Sequence, residues 1–72
     1  MTKEDFLKKF SDILQTDDPI YFETELEELE DWDSLTKMST VSWFLENNIQ
    51  ITVKDVSTFK TVGEIAEHFG IK

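Results

Sequence analysis

Eighteen residues from Thr16 to Asp33 separate two stretches of helical apolar spacing, and this connection constrains the fold more than any other feature. Asp17, Asp18 and Pro19 break the helical period, and the charges that follow are all of one sign. Structureless loops longer than about 12–15 residues are uncommon in compact domains, so a chain of this size must give the segment some order. Two solutions exist. Phe22, Leu26 and Leu29 lie at i, i+4 and i+7 and so could form part of a helix, or each could pin an ordered loop to the core. Glu23, Glu25, Glu27, Glu28, Glu30 and Asp31 would repel one another along an isolated helix, which favours the pinned loop.

The flanking segments supply the core. Thr2 and Asp5 have capping-box spacing, and Phe6, Leu7, Phe10, Ile13 and Leu14 form one face of a first helix, Thr2 to about Gln15. A second helix begins at Asp33 or Ser34, both good N-caps, with an expected inward stripe of Leu35, Met38, Val41 and Leu45. Trp43 and Phe44 fall more than a quarter turn off that stripe, so this helix is expected to be touched from more than one side; Asn47 and Asn48 end it. Ile49, Gln50 and Ile51 alternate like a strand but have no partner strand, and read as an extended connector. Thr52 and Asp55 open a short third helix that inserts Val56 and is closed by Phe59. The last helix starts at Thr61 with Glu64, buries Val62, Ile65, Ala66 and Phe69, and stops at Gly70, with Ile71 supplying the hydrophobic contact of the cap. The expected fold is all-α: one domain over residues 1–72, with three longer helices, a short third one, and a long acidic loop between the first two.

The net charge of −9 lies on one side of Ser34. Residues 1–33 hold twelve acids against Lys3, Lys8 and Lys9, whereas Glu46, Asp55, Glu64 and Glu67 balance Lys37, Lys54, Lys60 and Lys72 in the rest. Such a surface is repelled by nucleic-acid backbones and by anionic membranes, so its expected partners are basic protein surfaces. The plain alternative is that acidity serves solubility. No cysteine is present, which removes disulfides, thiolate metal sites and cysteine nucleophiles. Met1 to Asp5 lead directly into an amphipathic pattern rather than a signal peptide, and no apolar run approaches membrane-spanning length. A cytoplasmic monomer is expected.

Enzymatic chemistry finds few footholds. Ser34 lacks the flanking glycines of a nucleophile elbow, and His68, the single histidine, reads as a solvated helix residue. Asp31 and Asp33 resemble the opening of a calcium loop, but Leu35 and Thr36 occupy the next ligand and glycine positions, so no metal site is expected. Ser34 remains, either as a simple N-cap or as an attachment point. An anion on its hydroxyl would sit where unpaired N–H groups and the positive end of the helix dipole stabilise it. Asp33 would be an awkward permanent neighbour of a phosphate but well placed to hold a divalent cation while the phosphate is delivered.

Asp33-Ser34-Leu35, the preceding "TELEELEDWDSL", and "IQITVKDVSTFKTVGEIAEHF" together resemble an acyl carrier protein over nearly the whole chain. Leu26 and Leu29 stand in the places of that family's pinning leucines. The resemblance implies a four-helix bundle in which Ser34, flanked by Asp33 and Leu35, receives 4′-phosphopantetheine from coenzyme A through a phosphopantetheinyl transferase. The arm would carry an acyl or related group as a thioester to acyl-activating and acyl-transferring enzymes of lipid or secondary-metabolite biosynthesis, with no catalysis by the carrier. Thr36, Lys37, Ser39, Thr40 and Ser42 occupy positions where fatty-acid-synthesis carriers usually hold acids, and Trp32 before Asp33 is similar to stand-alone carriers outside that pathway. An aminoacyl, peptidyl or D-alanyl carrier is the neighbouring reading; an unmodified acidic interaction module is the rival from another class.

Partner enzymes are expected to read Glu27, Glu28, Glu30, Asp31 and Trp32 together with Lys37 and Met38. For the cargo two arrangements stay open. With Met38, Val41, Phe44, Ile49, Phe59 and Ile65 facing inward, a chain has room to slip between helices; with Phe44, Phe59 and Phe69 filling that space, it stays outside.

Overall fold

A computed structural model describes residues 1–71 and is mostly helical: α1 (Lys3–Leu14), a single 3₁₀ turn (Leu26–Glu28), α2 (Ser34–Glu46), α3 (Val53–Val56) and α4 (Val62–His68). Lys72, counted in the charge balance above, lies outside the described residues. Every α-helix begins at a side-chain cap. Thr2 Oγ1 accepts the Asp5 N–H at 3.1 Å, and Asp33, Thr52 and Thr61 each close a reciprocal capping box three residues on. The C-terminal ends are equally local in origin. Gly70, at φ 86°, donates its N–H to the Glu67 carbonyl while Ile71 donates to Ala66, which turns the chain back and buries Ile71.

A shared aromatic core holds these elements together. Phe6 and Phe10 of α1 stack with ring centroids 5.9 Å apart; Phe6 lies 5.2 Å from Trp43 of α2, and Phe69 after α4 stacks on Phe44 at 4.1 Å and tilts against Trp43 at 4.5 Å. Val56 of the short α3 is fully buried beside them. Ile49 and Ile51 form no strand; among the described residues extended pairing is confined to an isolated antiparallel bridge between Glu25 and Thr61.

The second helix corrects the expected stripe. Its buried residues are Thr40, Trp43 and Phe44, whereas Leu35 is 75% exposed, Met38 57% and Leu45 51%, with Val41 half-buried. Met38 therefore does not face inward. Its apolar residues are spread around the helix rather than gathered on one face, so periodicity alone could not choose its core face. Trp43 and Phe44 decide it, because aromatic pairs add about 0.5–1.5 kcal/mol each beyond area burial and their partners stand on α1 and after α4. Thr40 can join them because its hydroxyl donates to the Thr36 carbonyl at 2.8 Å.

The connection from Gln15 to Asp33 is tied down by both side chains and main chain. Leu26 and Ile20 are buried, Phe22 and Leu29 pack half-buried on the core, and Trp32 meets Phe10 edge-on at 5.7 Å. The Leu26 N–H donates to the Lys60 carbonyl at 2.8 Å, and the Val62 and Gly63 N–H groups donate to the Thr24 and Phe22 carbonyls at 3.0 and 2.8 Å. Backbone of the connection is thus hydrogen-bonded to the mouth of α4. The radius of gyration, 10.9 Å, matches the value of about 11 Å for a compact chain of this length, so the connection lies on the core. No helix among the described residues is long and apolar enough to cross a membrane.

Candidate functional site

The junction into α2 is built by two residues. The Asp33 carboxylate accepts the Thr36 N–H at 3.1 Å, and the Thr36 hydroxyl accepts the Asp33 N–H at 2.9 Å. The bond from the Thr36 N–H, ahead of all other causes, holds the exposed Asp33 carboxyl below the usual carboxylate range. Asp33 is therefore the N-cap, and Ser34 is the first helical residue. This settles the choice left open by the sequence. Ser34 is exposed, and its Oγ takes part in none of the capping bonds. The Lys37 N–H is bonded to the Asp33 carbonyl, so the Ser34 N–H stays at the helix mouth, where the dipole of a 13-residue helix favours negative charge.

Two clefts flank this point. On one side Leu35, Met38 and Val41 of α2 face Val53 of α3 across a shallow groove of about 350 Å³, with the hydroxyls of Ser39 and Ser42 at its margin. Adjoining it, the end of α1 at Leu14 and Gln15 lines a second cleft of about 250 Å³ with Asp31, Asp33 and Ser39. Leu35 belongs to both. Its exposure immediately after Ser34 places a large apolar side chain in solvent, and such residues mark contact surfaces when they cluster, as Leu35, Met38 and Val53 do here.

The expected partner-reading residues are spread over several depressions. Asp31 and Asp33 share the cleft beside α2, and Lys37 is half-buried with its Nζ 5.9 Å from the Trp32 ring centroid, a cation–π contact that draws it toward the connection. Glu27 and Glu28 sit in the 3₁₀ turn, exposed, and line other depressions: Glu27 beside Glu25 and Lys60, Glu28 beside Tyr21 and Thr24. Glu30 is exposed. Among the described residues no three His, Asp or Glu side chains converge as a metal site would require.

No protein-family model, curated protein or solved structure matches the chain.

Function must then be read from the junction itself. The sequence placed Leu35 and Met38 on the inward stripe while also offering Met38 to partners, so the groove they line with Val53 was not foreseen; the role of Thr36 was missed because the Asp33–Thr36 pair lacks the Glu or Gln that marks a capping box. The signal was nonetheless there: threonine three residues after an aspartate can close the same pair of bonds.

Proposed function

We propose that the protein is a carrier with an acyl-carrier-like four-helix bundle, holding an acyl or related group as a thioester on a 4′-phosphopantetheine arm attached to Ser34. The observation that carries this reading is the free, exposed Ser34 hydroxyl at the first position of α2, outside the capping network that would otherwise occupy it. In loading, Ser34 Oγ gives up its proton and forms a bond to the pantetheine-side phosphorus of coenzyme A. The pyrophosphate P–O bond breaks, and adenosine 3′,5′-bisphosphate leaves. The positive end of α2 and the Ser34 N–H would stabilise a phosphodiester at this position. Asp33 opposes it with a neighbouring charge, but the Thr36 bond fixes that carboxylate toward the helix. Once in place, the arm supplies the thiol that a cysteine-free chain lacks.

A short or polar cargo, an aminoacyl group included, fits better than a long acyl chain. Phe44 stacks on Phe69 at 4.1 Å and lies 6.4 Å from Phe59, so aromatic rings fill the space between helices that such a chain would enter. The absence of acids from α2 before Glu46 likewise favours a stand-alone carrier outside ordinary fatty-acid synthesis. Partners would be a phosphopantetheinyl transferase and the acyl-activating and acyl-transferring enzymes, steered to the acidic half by basic surfaces.

The test is incubation with coenzyme A, magnesium and a broad-specificity transferase, followed by intact mass. One added phosphopantetheine that disappears in Ser34→Ala supports the carrier. No addition with several transferases leaves an unmodified interaction module as the better reading.

A further inference from the structure

We infer that Thr36 is a positioning residue for the modification of Ser34, an inference that rests on the carrier reading above. Its side chain closes a ring of hydrogen bonds around the serine. Thr36 Oγ1 donates to the Asp31 carbonyl at 2.7 Å, the shortest of its contacts and the natural place for its single proton; the carbonyl and carboxylate of Asp33 lie farther off, at 3.1 and 3.3 Å. The same oxygen accepts the Asp33 N–H at 2.9 Å, and that N–H also reaches the Asp31 carbonyl at 3.1 Å. The Thr36 N–H in turn donates to the Asp33 carboxylate. Residues 31, 33 and 36 are thereby locked to one another, and Ser34 is carried on the arc between them with its own hydroxyl free.

Beyond the helical backbone of α2, no side-chain bond orients Ser34 among the described residues. It is exposed, its two sequence neighbours are exposed, and no side chain from α1, α3 or α4 is hydrogen-bonded to it among the described residues. The bond from Thr36 Oγ1 to the Asp31 carbonyl ties the last turn of the connection, pinned at Trp32, to the first turn of α2, beside the Lys37–Trp32 contact. A nucleophile must meet phosphorus in line, and misplacement by about 1 Å can reduce a rate roughly a hundredfold. The ring aims the hydroxyl without touching the reacting atoms.

The experiment compares wild type, Thr36→Val, Thr36→Ser and Thr2→Val, using coenzyme A as the probe and one transferase that loads the wild type. Thr2→Val removes a cap at the far end of α1 and controls for lost stability. In Thr36→Val, kcat for loading falls about ten- to a hundredfold while KM for the carrier stays within about twofold, and Thr36→Ser restores it. Thr2→Val lowers the melting temperature comparably, by roughly 4–8 °C, with loading unchanged. In the unloaded proteins, amide exchange at Ser34 and Leu35 accelerates in Thr36→Val and not in Thr2→Val. Wild-type kcat in Thr36→Val overturns the inference, as does an equal loss in Thr2→Val. Failure of Thr36→Ser to recover overturns it too, by assigning the role to the methyl group. If the wild type itself takes up nothing from any transferase, the carrier reading fails, and the inference with it.

Discussion

Replacing Gly63 with alanine tests whether the connection really lies against α4. Gly63 is the second residue of that helix, and its N–H donates to the Phe22 carbonyl at 2.8 Å. A Cβ added there would lie 3.0 Å from the same oxygen and 3.5 Å from the Phe22 Cβ. The oxygen is main chain and is held by the bond it accepts, and the Phe22 ring is set edge-on against Phe6 at 6.0 Å, so retreat means moving the connection off the core. Alanine gains up to about 1 kcal/mol in helix preference, less in a first turn, whereas crowding in a packed site costs about 1–3 kcal/mol. The balance is a loss of roughly 1–2 kcal/mol, which in a domain this small lowers the melting temperature by about 5–15 °C. Circular dichroism melts and urea titrations give the loss, and amide exchange at Leu26, Val62 and Gly63 shows whether it is local. Gly70→Ala is the contrast: nothing lies within 4 Å of its added Cβ, so any loss comes from φ 86° alone, and Gly70→Asn should recover most of it. A Gly63→Ala protein as stable as the wild type would refute the close approach.

Acid stability should depend on Asp33. Its folded pKa is depressed, so its contribution is fully present above the unfolded value of about 4 and is lost as pH falls through the lower folded value. Asp33→Asn should flatten the stability profile below about pH 4 in acid titrations followed by fluorescence; an unaltered acid limb would count against the cap. Gln15 ends α1 at φ 56°, a conformation unfavourable for a side-chain-bearing residue, so Gln15→Gly should raise stability by about 0.5–1 kcal/mol in urea titrations, and a loss would argue against that cap. With a net charge of −9, the melting temperature should rise as the Debye length shrinks from about 30 Å at 0.01 M salt to about 8 Å at 0.15 M, and a flat response would show the acids to be well dispersed. Reversing Glu27, Glu28 and Glu30 to lysine should slow encounter with a cognate enzyme most at low salt in stopped-flow measurements; unchanged rates would remove the acidic turn from recognition.

Much of the local structure was legible because its causes are local. Thr2 with Asp5, Thr52 with Asp55 and Thr61 with Glu64 cap helices from within four residues, and Gly70 with Ile71 closes the last one in the same way. The connection was legible only in outline. Leu26, Phe22 and Leu29 announced that it must be pinned, but the bonds from Leu26, Val62 and Gly63 join main-chain groups about 35–40 positions apart, and main-chain groups carry no sequence signature. Ile20 was hidden for a related reason: directly after Pro19, it lies outside the i, i+4, i+7 spacing of Phe22, Leu26 and Leu29.

The misread face of α2 follows from a competition that periodicity cannot judge. Leu35, Met38, Val41 and Leu45 make as good a stripe as Thr40, Trp43 and Phe44, and only the partners on α1 and after α4 break the tie. With the aromatics inside, a leucine and a methionine are left in solvent beside Ser34, where burial would have stabilised the chain by about 1.5–3 kcal/mol each. A chain that needed only stability would place polar residues there, as it does at Ser39, one position after Met38. On the carrier reading, the apolar pair belongs to whatever meets Ser34. If so, Leu35→Ser and Met38→Ser should leave the stability within about 0.5 kcal/mol of wild type, as substitutions at exposed positions do, while weakening productive contact with a loading transferase through KM rather than kcat. A kcat defect with unchanged KM would assign these side chains to the geometry of the junction, alongside Thr36. Loss of stability without loss of loading would return them to the core.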